Sequence, residues 1–172
     1  MRSQGKTKRL ALLAMLAAAA FVLSWLDSLI PVSGALPGAK LGLANLAVLI
    51  GLNLLGPLDG FVLCLLKILL STILFGNAFS FFYALAGGML SFLVMLALRK
   101  RCSIVFVSVM GGIFHNIGQI GVAAVILETA GLLAYLPVLV LCGLGAGFAV
   151  GLVGGILIRR LEGILKRNPG RE

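Results

Sequence analysis

Lys67 sits near the centre of a long apolar run in this 172-residue chain, and a charge in that position needs a chemical reason. Its neighbours are Cys64, Leu65, Leu66, Ile68 and Leu69, and Ser71 follows one turn later on the same helical face. It lies roughly nine residues, about 13 Å of helix, from either end of the run, a long way for a side chain to snorkel. A charge at that depth costs several kcal/mol unless a partner, a cavity or a ligand meets it. A second group stands in another apolar run: Gly111, Gly112, His115, Asn116, Gly118 and Gln119. His115 and Gln119 are one turn apart and share a face. Such side chains either line a cavity or clamp neighbouring helices, and residue type alone leaves both open.

A third set gathers at one end of the apolar segments: Asp27, Lys40, Asn45, Asn77, Tyr83 and Glu128. Together with Lys67 and His115 it extends from mid-depth to the outer surface. The inner halves carry few comparable residues beyond Asn53 and Asp59. That asymmetry describes a pocket opening outward, suited to capturing a solute. Lysines and neutral donors suit an anionic or hydrogen-bonding ligand, unless Asp27 or Glu128 neutralises the lysines.

Other chemistries lack their residues. Cys64, Cys102 and Cys142 are far apart with no CxxC spacing, and one histidine cannot found a His-rich metal site. Two aspartates far apart in sequence, Asp27 and Asp59, are not the clusters that hold magnesium against a diphosphate. No GxxxxGK[ST] loop is present, so ATP-driven work would need another subunit. The expectation is a non-catalytic protein without cofactor or metal.

The elements that position these residues are membrane helices. The chain is 61% hydrophobic and 11% charged, with a mean hydropathy of +1.18, well outside the soluble range. The net charge of +9 is not a nucleic-acid face. Twelve of the 14 Lys and Arg fall in three clusters that flank apolar segments: Arg2 to Arg9, Arg99 to Arg101, and Arg159 to Arg171. Under the positive-inside rule all three are cytoplasmic. Six segments are expected, at about 10–30, 40–55, 58–75, 79–98, 103–127 and 133–158, in an all-α single membrane domain. Short basic tails, 1–9 and 159–172, flank them. The second segment is short for a span, and its start reads as a re-entrant loop. An even count puts both termini on the cytoplasmic side.

Two faces are built for close approach. Ala14 and Ala18 form a small-xxx-small pair on the first helix, suited equally to packing within the bundle or to docking a partner. Gly143, Gly147, Gly151 and Gly155 recur every four residues on the last helix, a stripe read as packing within the bundle.

Three motifs in order, Pro37 to Asn45 (PGAKLGLAN), Lys67 through Phe75-Gly76 and on to Tyr83–Gly88 (YALAGG), and Gly111 to Gln119 with HNIGQ, carry a resemblance over nearly the whole chain. The sequence resembles the Gx transporter family, historically labelled heptaprenyl diphosphate synthase component I. That family is similar to the S components of energy-coupling factor vitamin transporters. The resemblance implies a six-helix S-component-like bundle in the bacterial cell membrane that binds a small solute from outside. It implies partnership with a transmembrane coupling subunit and ATPases, Ala14 and Ala18 occupying the place of the docking residues. Lys67 departs mildly, since arginine is the more frequent residue there. Motifs and residue chemistry together give a substrate-binding set of Lys40, Asn45, Lys67, Ser71, Asn77, Tyr83, His115, Asn116 and Gln119. The alternative is a non-catalytic membrane subunit associated with isoprenoid or quinone synthesis or a flavin-linked redox system, its ligand of that chemistry.

Overall fold

The computed structural model describes residues 2–29, 42–75 and 78–167. Six helices follow one another: α1 (Arg2–Leu29), α2 (Asn45–Leu54), α3 (Pro57–Phe75), α4 (Ala78–Leu98), α5 (Ile104–Ile126) and α6 (Leu136–Arg167). A 3₁₀ turn, Ala130–Tyr135, leads into α6. Five of these elements are long and apolar enough to cross a membrane. Segments that cross hydrocarbon must satisfy their backbone internally, which is why uninterrupted apolar runs become helices. The protein is a multi-pass, all-helical membrane bundle.

Two expected boundaries move. The basic stretches at either end, read as tails, continue the helices: α1 begins at Arg2 and α6 runs to Arg167. Lys and Arg are good helix formers, so a helix that leaves the hydrocarbon has no reason to stop at once. The larger departure is α2. Its ten residues span about 15 Å, half of the roughly 30 Å hydrocarbon. Residues 30–41, the expected loop and the start of the second segment, lie outside the described residues.

Side-chain contacts fix the relative directions. Arg9 near the start of α1 grips Asp59 in the first turn of α3 with two bonds, of 2.7 and 2.8 Å. Arg99 at the end of α4 donates from Nη1 to the Leu52 carbonyl at the end of α2, 2.8 Å away. Gly151, midway along α6 and N-terminal to its basic cluster, packs on Val105 at the start of α5. All three basic clusters therefore gather at one end of the bundle. Asp59 also favours its position electrostatically, as an acid at a helix N-terminus. Between α2 and α3, Gly56 turns with φ +112°, a conformation that side chains disfavour.

Packing divides into two apolar clusters. The larger fills the basic half with Leu16, Leu49, Leu52, Leu63, Ile68, Phe92, Met95 and Val107 among others. The smaller joins Tyr83, Ile120, Ala123 and Leu139 toward the other end. Glycine sets how close α4, α5 and α6 come. A Cβ on Gly147 would lie 2.7 Å from the Val109 Cα and 2.8 Å from the Ser108 carbonyl oxygen. One on Gly143 would lie 2.7 Å from the Gly112 carbonyl oxygen. Three members of the four-residue glycine stripe thus serve the α5–α6 contact, whereas a Cβ on Gly155 would meet nothing within 4 Å.

Gly147→Leu should therefore cost about 1–3 kcal/mol by overpacking. Gly145→Leu, where a Cβ also meets nothing within 4 Å, should change little. Thermal unfolding of the detergent-solubilised protein compares them, and equal midpoints would contradict the packing account.

Candidate functional site

The half-helix α2 creates the site. Its N-terminus lies inside the bundle rather than at the surface, because Asn45 meets Lys67, which is about 15 Å along α3 from its start. The first backbone N–H groups of a helix have no acceptor within it. Here the chain just before α2 is held by Asp27 from α1: its Oδ2 accepts from the Gly42 N–H at 3.0 Å and from the Leu43 N–H at 2.8 Å. A carboxylate is well placed there, because the peptide dipoles of α2 present their positive end to it. Gly42 has φ +84°, and a Cβ there would lie 3.1 Å from the His115 ring. Only glycine allows the turn and the contact together.

Lys67 is 6% exposed and donates from Nζ to the side-chain oxygen of Asn45. Around it, Ser24, Asp27, Gly42, Ala44, Ile68, Ser71, Ala84, His115 and Gln119 line a cavity of about 20 Å³ with Lys67. That is room for about one water molecule. Charges of both signs therefore share a site otherwise walled by helices. Ser71 is buried, and its hydroxyl donates to the Ile68 carbonyl at 3.2 Å.

On α5, His115 and Gln119 face this cavity, with Gln119 Nε2 3.2 Å from His115 Nε2. The Gln119 carbonyl oxygen is buried and has no hydrogen-bond partner among the described residues. Gly87 on α4 makes room for the pair: a Cβ would lie 2.6 Å from the His115 backbone oxygen and 2.7 Å from the Gln119 Cγ. Close approach of α4 thus presses the two polar residues toward α3.

The expected set separates. Asn45, Lys67, Ser71, His115 and Gln119 come together. Asn116 turns to α6, donating from Nδ2 to the Leu139 carbonyl at 2.6 Å, which is the clamp rather than the cavity. Tyr83 packs in the smaller apolar cluster and is not among the cavity-lining residues. Lys40 and Asn77 lie outside the described residues. Glu128 is exposed in the turn after α5 with φ +49°, and Asp59 belongs to the basic end. Ser24 and Gly42, not singled out in the sequence, join the site, as does Asp27, expected in the outward pocket but not in the binding set. Their signal was available: Ser24 and Asp27 are three apart in an apolar run, and both are buried, at 3% and 2% exposed.

Ala14 and Ala18 are exposed among the described residues.

A family profile described as heptaprenyl diphosphate synthase component I matches residues 16–157. The chain belongs to that family. No curated protein matches it. Among solved structures it is similar to the S component of a bacterial ECF transporter. The identity is 23%, the match covers 94% of this chain and 99% of that one, and the TM-score is 0.69. At that identity the likeness establishes a shared S-component fold. Among the described residues the two aspartates do not gather as a magnesium-held diphosphate would need. Asp59 pairs with Arg9, while Asp27 stands 18 residues further along α1, about 27 Å of helix away.

Asn116→Ala should lower thermal stability by about 1 kcal/mol, the usual scale of an interhelical hydrogen bond. Because Asn116 faces α6, ligand affinity should hold. A loss of affinity with unchanged stability would return Asn116 to the cavity.

Proposed function

We propose that the protein is the membrane-embedded substrate-binding subunit of an energy-coupling-factor-type transporter, capturing a small solute between α1, α2, α3 and α5. The observation that carries this reading is the buried cluster of Asp27, Lys67, His115 and Gln119 around the internal N-terminus of α2. Half-helices whose ends meet at mid-depth, with charged side chains around them, are a recurrent way to build a solute site in a membrane. The S-component fold supports the same reading.

The ligand is small and hydrogen-bonding. Lys67 offers a positive donor, His115 a ring nitrogen and Gln119 a carbonyl acceptor, while Asp27 keeps the cluster close to neutral. An organic solute exceeds the present cavity of about 20 Å³, so its entry must displace side chains or the segment before α2. The large apolar cluster closes the path toward the basic end, which leaves the opposite end for entry. By the positive-inside rule the basic end is cytoplasmic, so capture is from outside, with both termini inside.

Energy must come from elsewhere. The exposed Ala14 and Ala18 give a transmembrane coupling subunit a smooth strip for close helix approach, and ATPases would drive the cycle through that subunit.

Lys67→Ala and His115→Ala should each weaken ligand binding about tenfold or more, the scale of a lost charged or buried hydrogen bond, while membrane insertion persists. Native mass spectrometry of gently extracted protein identifies the small molecule that co-purifies, and uptake assays then grade the variants. Full uptake by both variants would refute the site. Ala14→Trp and Ala18→Trp should retain ligand binding but lose co-purification of the coupling subunit. Intact assembly in both would remove α1 from the docking face.

A further inference from the structure

A second recess lies far from the polar cluster, at the basic end, between the start of α5 and the turns of α6 from Gly151 to Arg159. Cys102, Ser103, Ile104, Val105, Gly151, Leu152, Gly155, Ile156 and Arg159 line this groove of about 450 Å³. Its floor and walls are apolar, and its polar groups sit at the rim, as the edge of a bilayer is organised. Gly155 leaves the floor open, since a Cβ there would meet nothing within 4 Å. Arg159 is exposed, and no ion pair joins it to Glu162 one turn on.

The rim is positive on both sides. Ser103 caps α5, its hydroxyl accepting from the Phe106 N–H at 3.2 Å, and its carbonyl takes the Val107 N–H at 2.9 Å. The N–H groups of Ile104 and Val105 have no acceptor within the helix and point out of its end. The α5 dipole adds partial positive charge, and Lys100 and Arg101 stand three and two residues before the cap. None of these groups takes part in the polar site described above.

We infer that this groove binds an anionic phospholipid, its phosphate held by Arg159 and the α5 N-terminus and an acyl chain lying along Leu152, Gly155 and Ile156. Charge complementarity selects the headgroup. The apolar floor running from the rim along α6 selects a lipid over a free anion, which would leave that surface unused. A lipid here would sit across the α5–α6 pair at the level where anionic headgroups concentrate.

Titration of the purified full-length protein with phosphatidylglycerol or phosphatidylcholine of matched chains, read by native mass spectrometry, tests this. Phosphatidylglycerol should bind about five-fold or more tightly than phosphatidylcholine, and Arg159→Gln should remove most of that preference, the factor one near-surface basic residue contributes. Gly155→Leu should weaken both lipids by filling the floor, whereas Arg160→Gln, equal in charge but outside the groove, should preserve the preference. Each variant is first checked for an unchanged unfolding midpoint, and Arg159→Lys replaces Arg159→Gln if the latter is unstable, with the expectation of a partial preference. Equal binding of the two lipids would overturn the proposal. So would an equal loss from Arg159→Gln and Arg160→Gln, or displacement of the lipid by millimolar inorganic phosphate.

Discussion

Backbone amides in hydrocarbon must find a partner inside the protein, and α2 begins inside the bundle. A helix that stops halfway through a bilayer exposes its first N–H groups to the interior of the bundle. The turn before α2 takes the first of them: the Asn45 N–H donates to the Gly42 carbonyl at 2.9 Å and the Leu46 N–H to the Leu43 carbonyl at 3.0 Å. Asp27 holds that turn by the Gly42 and Leu43 N–H groups, which places a carboxylate deep in the structure. A buried carboxylate needs compensation in turn, and a lysine lining the same cavity supplies opposite charge. Lys67 thus sits where the interrupted helix calls for it, joined to α2 through Asn45. The polar site follows from a broken helix as much as from any single side chain.

The other half of the bundle supplies the opposite quality. The α4, α5 and α6 helices approach through glycine, so their backbones are nearly in contact and little side-chain adjustment is possible. His115 and Gln119 are carried on that rigid wall, braced from behind by Gly87, while Asn116 ties the wall to α6. A rigid half faces a half built around a short helix.

Charge at the basic end is likewise not decoration of a membrane edge. Arg9 ties α1 to α3, and Arg99 satisfies a terminal carbonyl of α2 that would otherwise lack a donor. These contacts close the inner end of the half-helix as Asp27 closes the other. The same end leaves Ala14 and Ala18 exposed on α1.

Much was legible in the residues. Runs of apolar sequence broken by Gly, Pro and basic clusters marked the elements, because hydrocarbon thickness and the cost of buried charge act locally. Lys67, His115 and Gln119 stood out for the same reason, since each is expensive wherever its helix lies. Neighbours were not legible. In a helix apolar all round, 3.6-residue periodicity places Asn116 about 100° from His115 but does not say which helix waits there. Nor could it show that Tyr83 would enter an apolar cluster or that Gly155 would face an open groove. The second segment read as short, yet only packing decided that ten residues are helical and that Gly42 must bend against His115. Composition fixed the solvent and the elements, while the site arose from which helices meet, and that is a property of the assembled bundle.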